Sequence, residues 1–149
     1  MTPAITADAF WQFSLQHYRR AGVERACLHF QDQYQGNVNL ALILHWLDTQ
    51  SLALPETGLT ALLDTVRHSD PALQHFRAQR RAQKHHLSPE AYQALLQQEL
   101  TLERHQQADI VQRCQAFTLP SHPQPDNLAA YCQHCQAPDT LYRQLQGTH

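Results

Sequence analysis

The chain has 149 residues, a formal net charge of -2 and only 4 glycines. This length suits one domain with a real core, and the small charge gives no overall attraction to nucleic acid or to a membrane surface. No apolar run approaches the roughly 18 residues of a membrane-spanning helix. The abundance of Gln, Leu and Ala, with few glycines for turns, predicts an all-α domain.

The chain begins with two predicted amphipathic helices. Thr6 is the expected N-cap of the first, which runs to about Arg20. The second spans residues 23–34, where apolar side chains form one stripe with polar residues opposite. We expect Gly36 to close this helix in the left-handed conformation.

The third predicted helix, residues 38–49, is apolar nearly all round. A helix without a polar face belongs at the centre of a bundle, so we expect the side chain of Leu44 to be inaccessible. Asn37 is placed to cap this helix. Because Asn and Asp cap equally well, the sequence predicts that Asn37→Asp is tolerated.

The middle of the chain predicts two shorter helices. One follows Pro55. The tripeptide Ser69-Asp70-Pro71 then predicts the start of a separate helix over residues 71–84. Proline is permitted at this early position of a helix.

The remainder predicts one long helix and two short ones. Ser88 opens the long helix, over residues 89–117, and residues 119–125 hold three prolines and must be irregular. Short helices follow Asp126 and Pro138. We therefore predict a single domain over residues 1–149, a bundle of about six helices around the third, in which residues 118–149 form a linker and short C-terminal helices.

The N-terminal third carries a recognisable series of motifs. They are Phe10-Trp11-x-Phe13-Ser14-Leu15, Gly22-Val23, Ala26-Cys27-Leu28, Gln31-Asp32, Asn37-Val38-Asn39-Leu40 and Trp46-Leu47, with a looser match at Arg77-x-x-Arg80-Arg81 and Glu99-Leu100-x-x-Glu103-Arg104. With these the chain resembles DUF2390, a family of small uncharacterised proteins of proteobacteria. The resemblance implies a fold and a cytoplasmic location, and it supplies no activity or catalytic residues.

A polar cluster joins the second and third predicted helices. It contains Asp32, Asn37 and Asn39. A carboxylate and two amides could orient a polar ligand or a metal ion. The same residue types also satisfy free backbone groups at a helix–helix turn, and the spacing fits capping well.

The C-terminal region contains Cys132-Gln133-His134-Cys135. Two cysteines at this spacing can grip zinc, but a structural zinc site needs four ligands. His134, His122, the terminal His149 or a second chain would have to complete it. Without a secretory signal at the N-terminus, we expect all four cysteines to be reduced thiols in a cytoplasm, and no cofactor other than zinc is indicated.

A basic stretch lies at the end of the helix predicted over residues 71–84. Arg77, Arg80, Arg81 and Lys84 fall at helical spacing, so most of them can share a face. Such a face could dock an acidic protein surface or, less favourably, nucleic acid. Reversing Arg80 and Arg81 to Glu would then abolish partner binding and leave the melting temperature nearly intact. The other interpretation is a solvated face paired with Glu99 and Glu103.

No catalytic constellation accompanies these features. The chain has no nucleophile elbow, phosphate-binding loop or dinucleotide fingerprint, and the Glu-x-x-His pairs of a di-metal bundle are missing. The leading interpretation is a non-enzymatic cytoplasmic adaptor that binds a partner through the basic face. The alternative is a protein, and conceivably an enzyme, that binds a small ligand or metal at the Asp32–Asn39 junction. The oligomeric state stays open.

Overall fold

The computed structural model describes residues 4–147. Within this span the chain forms seven helices: α1 (Ala7–Tyr18), α2 (Val23–Tyr34), α3 (Val38–Thr49), α4 (Gly58–Gln83), α5 (Pro89–Gln115), α6 (Asn127–His134) and α7 (Asp139–Gln146). Across these residues the only β-type pairing is an isolated bridge between Leu52 and Ser121. The predicted all-α bundle is confirmed.

Helix α3 lies at the centre of the bundle. Every residue from 39 to 47 is buried, and the helix packs against α1, α2, α4, α5 and α6. Leu44 is 0% exposed. The prediction of a central, buried third helix is confirmed, since a helix that is apolar on all sides gains most when all sides are covered.

The two helices predicted around Pro71 are one continuous helix, α4, with Pro71 inside it. The expected new start at this proline was wrong. Ser69 and Asp70, which could have capped a new helix, accept hydrogen bonds instead from the Gln106 side chain of α5, each at 2.8 Å. Tertiary hydrogen bonds thus hold the local sequence in the helix that proline usually breaks.

The bundle consequently has two long helices rather than one. α4 and α5 are joined by residues 84–88 and pack against each other more extensively than any other helix pair. They run antiparallel, which places the basic end of α4 beside the first half of α5. This pairing creates one wall of the site described below.

Most predicted caps are present. Thr6 Oγ1 accepts a hydrogen bond from the backbone N–H of Ala9 at 3.1 Å, and Ser88 Oγ accepts one from Ala91 at 3.2 Å. The predicted role of Gly36 was wrong, because Gln35 is the left-handed residue, with φ of 56°. Gly36 is required for another reason: a Cβ at this position would overlap the ring of Phe30.

Helix α6 is fastened to α3 by a side-chain cap. Both carboxylate oxygens of Asp48 accept backbone N–H groups at the start of α6, from Asn127 at 3.0 Å and Leu128 at 3.1 Å. Burial raises the pKa of Asp48 to about 6, against the effect of these hydrogen bonds. The proline-rich linker is irregular, as expected, and Pro120 accepts a hydrogen bond from the backbone of Ala53.

Candidate functional site

A cavity of about 350 Å³ opens between α1, α2, α4 and α5, above the first turns of α3. Its apolar walls consist of Trp11, Leu15, Leu28, Val38, Leu42 and Leu100. Leu15, Leu28 and Leu100 are 38%, 40% and 39% exposed, and they are the exposed large hydrophobic residues in the described part of the chain. All three therefore gather at one opening, and exposed apolar surface concentrated in this way marks a binding region.

The floor of this cavity is polar and buried. Gln107 Nε2 donates hydrogen bonds to Ser14 Oγ at 3.2 Å and to Asn39 Oδ1 at 3.0 Å. Ser14 Oγ in turn donates to the carbonyl of Phe10 at 2.9 Å. Within residues 4–147, the Oε1 atom of Gln107 is buried and has no hydrogen-bond partner. An acceptor left in this condition is costly unless a donor reaches it from the cavity.

Behind the floor, the hydrogen bonds continue into an amide network formed by Asn37, Asn39, Asp70 and Gln106. Gln106 Oε1 accepts from the side-chain amides of Asn37 and Asn39, both at 3.0 Å. Asn37 Nδ2 also donates to Asp70 Oδ1 at 2.6 Å. These contacts fix the polar floor to α3, α4 and α5 at once.

Asn37 is the cap that the sequence predicted. Its Oδ1 accepts a hydrogen bond from the backbone N–H of Leu40 at 2.7 Å. The contacts of its amide nevertheless lead us to expect that Asn37→Asp destabilises the protein. A second carboxylate there would lose the amide that donates to Asp70 and Gln106, and it would place two like charges in contact.

The predicted group of Asp32, Asn37 and Asn39 is not assembled. Only Asn39 lines the cavity. Asn37 turns its amide to Asp70, and Asp32 lies on the exposed side of α2, with Oδ1 3.6 Å from a nitrogen of Arg81. Asp32 belongs to α2, whereas Asn37 follows the turn into α3, and the two side chains have different partners on different surfaces.

Two ion pairs close one side of the cavity. Arg77 Nη2 lies 3.1 Å from Glu103 Oε1, and Arg80 Nε lies 3.0 Å from Glu99 Oε2. Arg80 also donates to the hydroxyl of Tyr92 at 3.3 Å. Burial raises the pKa of Glu103 in spite of the hydrogen bond from Arg77. Burial acts to lower the pKa of Arg80, but the hydrogen bonds to Tyr92 and Glu99 raise it overall.

The expected ridge of four exposed cations was therefore wrong for Arg77 and Arg80. Their side chains are only 16% and 19% exposed, since α5 presents a glutamate to each. Arg81 is half-exposed beside Asp32, and Lys84 is exposed, with no carboxylate within ion-pair distance among residues 4–147. Docking of an acidic partner through Arg81 and Lys84 stays a prediction.

The cysteine pair does not belong to a larger cluster of metal-ligating side chains among residues 4–147. No group of three or more His, Cys, Asp or Glu residues in the described chain is arranged to hold a metal ion. Cys132 is buried, and burial raises the pKa of its thiol to about 12. His134 stacks against Tyr131, and His122 Nδ1 accepts a backbone N–H from Gln124 at 3.0 Å. His149 lies outside the described residues.

Sequence reasoning missed Ser14, Trp11 and Gln107 as site residues. The available signal was the polar series Glu99, Glu103 and Gln107 at helical spacing, on the side of α5 that a bundle should bury.

Comparison with known proteins gives one finding. A family model described as "Protein of unknown function (DUF2390)" matches residues 9–110. All of the residues that line the cavity lie within this span. Neither the search of curated proteins nor the search of solved structures returned a match. In the part of the chain that the structure describes, every helix is too short or too polar to cross a membrane.

Proposed function

This chain belongs to the DUF2390 family, whose function is unknown, and we propose that it is a small-ligand-binding protein that holds an organic molecule in the cavity between α1, α2, α4 and α5. Ligand sites in proteins are concave, mostly apolar, and supplied with a few fixed polar groups. The cavity here, at about 350 Å³, lies within their usual size range.

One observation carries the proposal: Gln107 lines this largely apolar cavity, and its buried Oε1 has no hydrogen-bond donor among residues 4–147. The nitrogen of the same amide is already engaged, since Nε2 donates hydrogen bonds to Ser14 and Asn39. The orientation of the amide is thereby fixed with the oxygen unused. A ligand that donates to this oxygen would complete the network.

The arrangement supports binding rather than covalent catalysis. The hydroxyl of Ser14 is committed as a donor to the carbonyl of Phe10. Burial, followed by the nearby Cys27, raises the pKa of Tyr18, which keeps that hydroxyl protonated. Among residues 4–147, neither hydroxyl is hydrogen-bonded to a side-chain base, as an activated nucleophile would be.

The proposal includes a reducing, bacterial cytoplasm as the location. It is supported by the family resemblance and by the four cysteines, which are all free thiols.

The test is a screen of small organic compounds against isotope-labelled protein, read by amide chemical shifts. Compounds that bind should move the signals of Trp11, Asn39 and Gln107. Leu100→Trp, at the exposed mouth, should block binding without harming the fold. The matched control is Ala108→Trp, on the exposed side of the same helix and outside the cavity.

Failure of every compound to bind would refute the proposal. So would hits whose shifts fall elsewhere, or hits that Leu100→Trp and Ala108→Trp weaken equally.

A further inference from the structure

We propose that the cavity takes an amphipathic monoanion: a molecule with an apolar body, a carboxylate head group, and a hydroxyl or N–H donor. This inference rests on the proposed function, because it names the ligand class of the same site. It follows from three features of the lining, which are its charge, its unpartnered acceptor and its apolar walls.

The charged residues that line the cavity have a positive excess. They are Arg19, Arg77, Arg80, Arg81, Glu99 and Glu103. The two glutamates form ion pairs with Arg77 and Arg80. The excess positive charge therefore lies on Arg19 and Arg81. Such an excess favours an anion over a cation of the same size.

Of those two arginines, Arg19 lacks an ion pair in the described chain and Arg81 has only a long one. In the described chain, no carboxylate lies within ion-pair distance of Arg19. Arg81 meets Asp32 at 3.6 Å, and both side chains are about half-exposed, at 50% and 43%. An exposed pair of this length contributes little stability, so a ligand carboxylate can replace Asp32 at small cost.

The positive field extends beyond the cavity. An open groove at the end of α1 shares Tyr18, Arg19 and Leu28 with the cavity, and it is lined as well by Arg20, Arg25 and a single acid, Glu24. An approaching anion therefore meets arginines before it reaches the mouth. Attraction of this kind raises association rates and weakens as salt is added.

The acceptor at the floor specifies a donor on the ligand. Gln107 Oε1 can only accept a hydrogen bond, and a plain hydrocarbon tail would leave it buried and unsatisfied. A hydroxyl or N–H placed within reach would satisfy it. The six apolar wall residues offer a polar ligand group no side-chain acceptor.

The experiment compares four ten-carbon probes by titration calorimetry and by Trp11 fluorescence, below their micelle concentrations. The probes are 10-hydroxydecanoate, decanoate, 1-decanol and decylammonium. We expect decanoate to bind more tightly than decanol, and decylammonium to bind most weakly. The hydroxyl at the far end of 10-hydroxydecanoate should add roughly two- to tenfold in affinity, the range for one net hydrogen bond.

Variants locate the head group. Arg19→Gln combined with Arg81→Gln should weaken decanoate at least fivefold and leave decanol unchanged. The control is Arg67→Gln, which removes an exposed cation that does not line the cavity. Raising the salt concentration should weaken decanoate binding in the wild type and much less in the double variant.

Equal binding of decanoate, decanol and decylammonium would overturn the anionic class. Equal binding of decanoate and 10-hydroxydecanoate would overturn the requirement for a donor on the ligand. In either case the cavity would still bind a small molecule, and the proposed function would survive. Binding of none of the four probes, when compounds from the screen do bind, would refute the ligand class alone. Failure of the screen as well would remove both proposals.

Discussion

Lowering the pH from 7.5 to 5 should destabilise this protein through His45, a histidine inside the central helix. His45 is 8% exposed. Its ring lies 4.5 Å from that of His17 and 6.0 Å from that of Phe13, measured between centroids. Among the described residues, its Nδ1 atom is buried without a hydrogen-bond partner. Burial, and then the nearby charges of His17 and Arg20, lower the pKa of His45 to about 4.

The sign of the change in stability depends on whether the folded or the unfolded state binds the proton more readily. In the unfolded chain the pKa of His45 returns to 6.5, so over this pH range the unfolded state takes up the proton and the folded state resists it. The contribution of His45 to stability is complete above pH 6.5 and is lost as the pH falls. By linkage, the loss between pH 7.5 and 5 is about 2 kcal/mol.

The wild-type curve alone would not isolate this effect, because burial also lowers the pKa of His17, which acts with the same sign. Asp48 has a pKa raised to about 6 by burial, so its folded form binds a proton more readily than its unfolded form. Its contribution therefore grows as the pH falls through 6, with the opposite sign to that of His45. A variant that removes only His45 separates its contribution from the others.

The assay is urea unfolding of the wild type and His45→Leu at pH 7.5 and pH 5. Leu44 and its neighbours on α3 are already apolar, so leucine suits the site. We expect the difference in unfolding free energy between the two proteins to shift by about 2 kcal/mol in favour of the variant at pH 5. The control is His105→Leu, on the exposed side of α5. An unchanged difference for His45→Leu, or an equal shift in the control, would refute the reasoning.

Three further substitutions test the packing and the polar contacts. Asn37→Asp should lower the unfolding free energy by about 2 kcal/mol, because it removes an amide donor and faces Asp70 with a like charge; urea titration measures this. Arg80→Glu should cost about 3 kcal/mol, since it leaves buried Glu99 opposed by a second carboxylate. The double variant Arg80→Glu with Glu99→Arg should recover a part of that loss. Leu44→Ala should cost about 2–5 kcal/mol, as a truncation at a site that is 0% exposed.

Each of these predictions has a contrary outcome. An Asn37→Asp protein as stable as the wild type would mean that capping alone matters at this position. Arg80→Glu with an unchanged melting temperature would restore the view of a solvated basic face. A harmless Leu44→Ala would contradict the central position of α3.

The cavity could be anticipated only in part from the sequence. Asn39 was identified as a candidate ligand contact, because amides between apolar helices need partners. Asp32 was grouped with it by closeness along the chain, and the structure separates them. Gln107 and Ser14 lie 93 positions apart, and no local pattern links residues at that distance.

The sequence by itself determined the helices whose signals are local. The polar pattern opposite one apolar stripe determined α2, and the lack of any polar face determined that α3 is central. Asn37 was identifiable as a cap because capping is settled within three residues of chain.

Only the tertiary structure decided what the polar residues do. Pro71 is a strong local signal for a break, but hydrogen bonds from Gln106 to Ser69 and Asp70 keep α4 continuous. Tertiary packing also covers Arg80 of the basic face, because the antiparallel packing of α4 on α5 brings Glu99 against it. Hydrogen bonds and ion pairs between distant helices depend on which faces meet, and that is fixed only when the hydrophobic core closes.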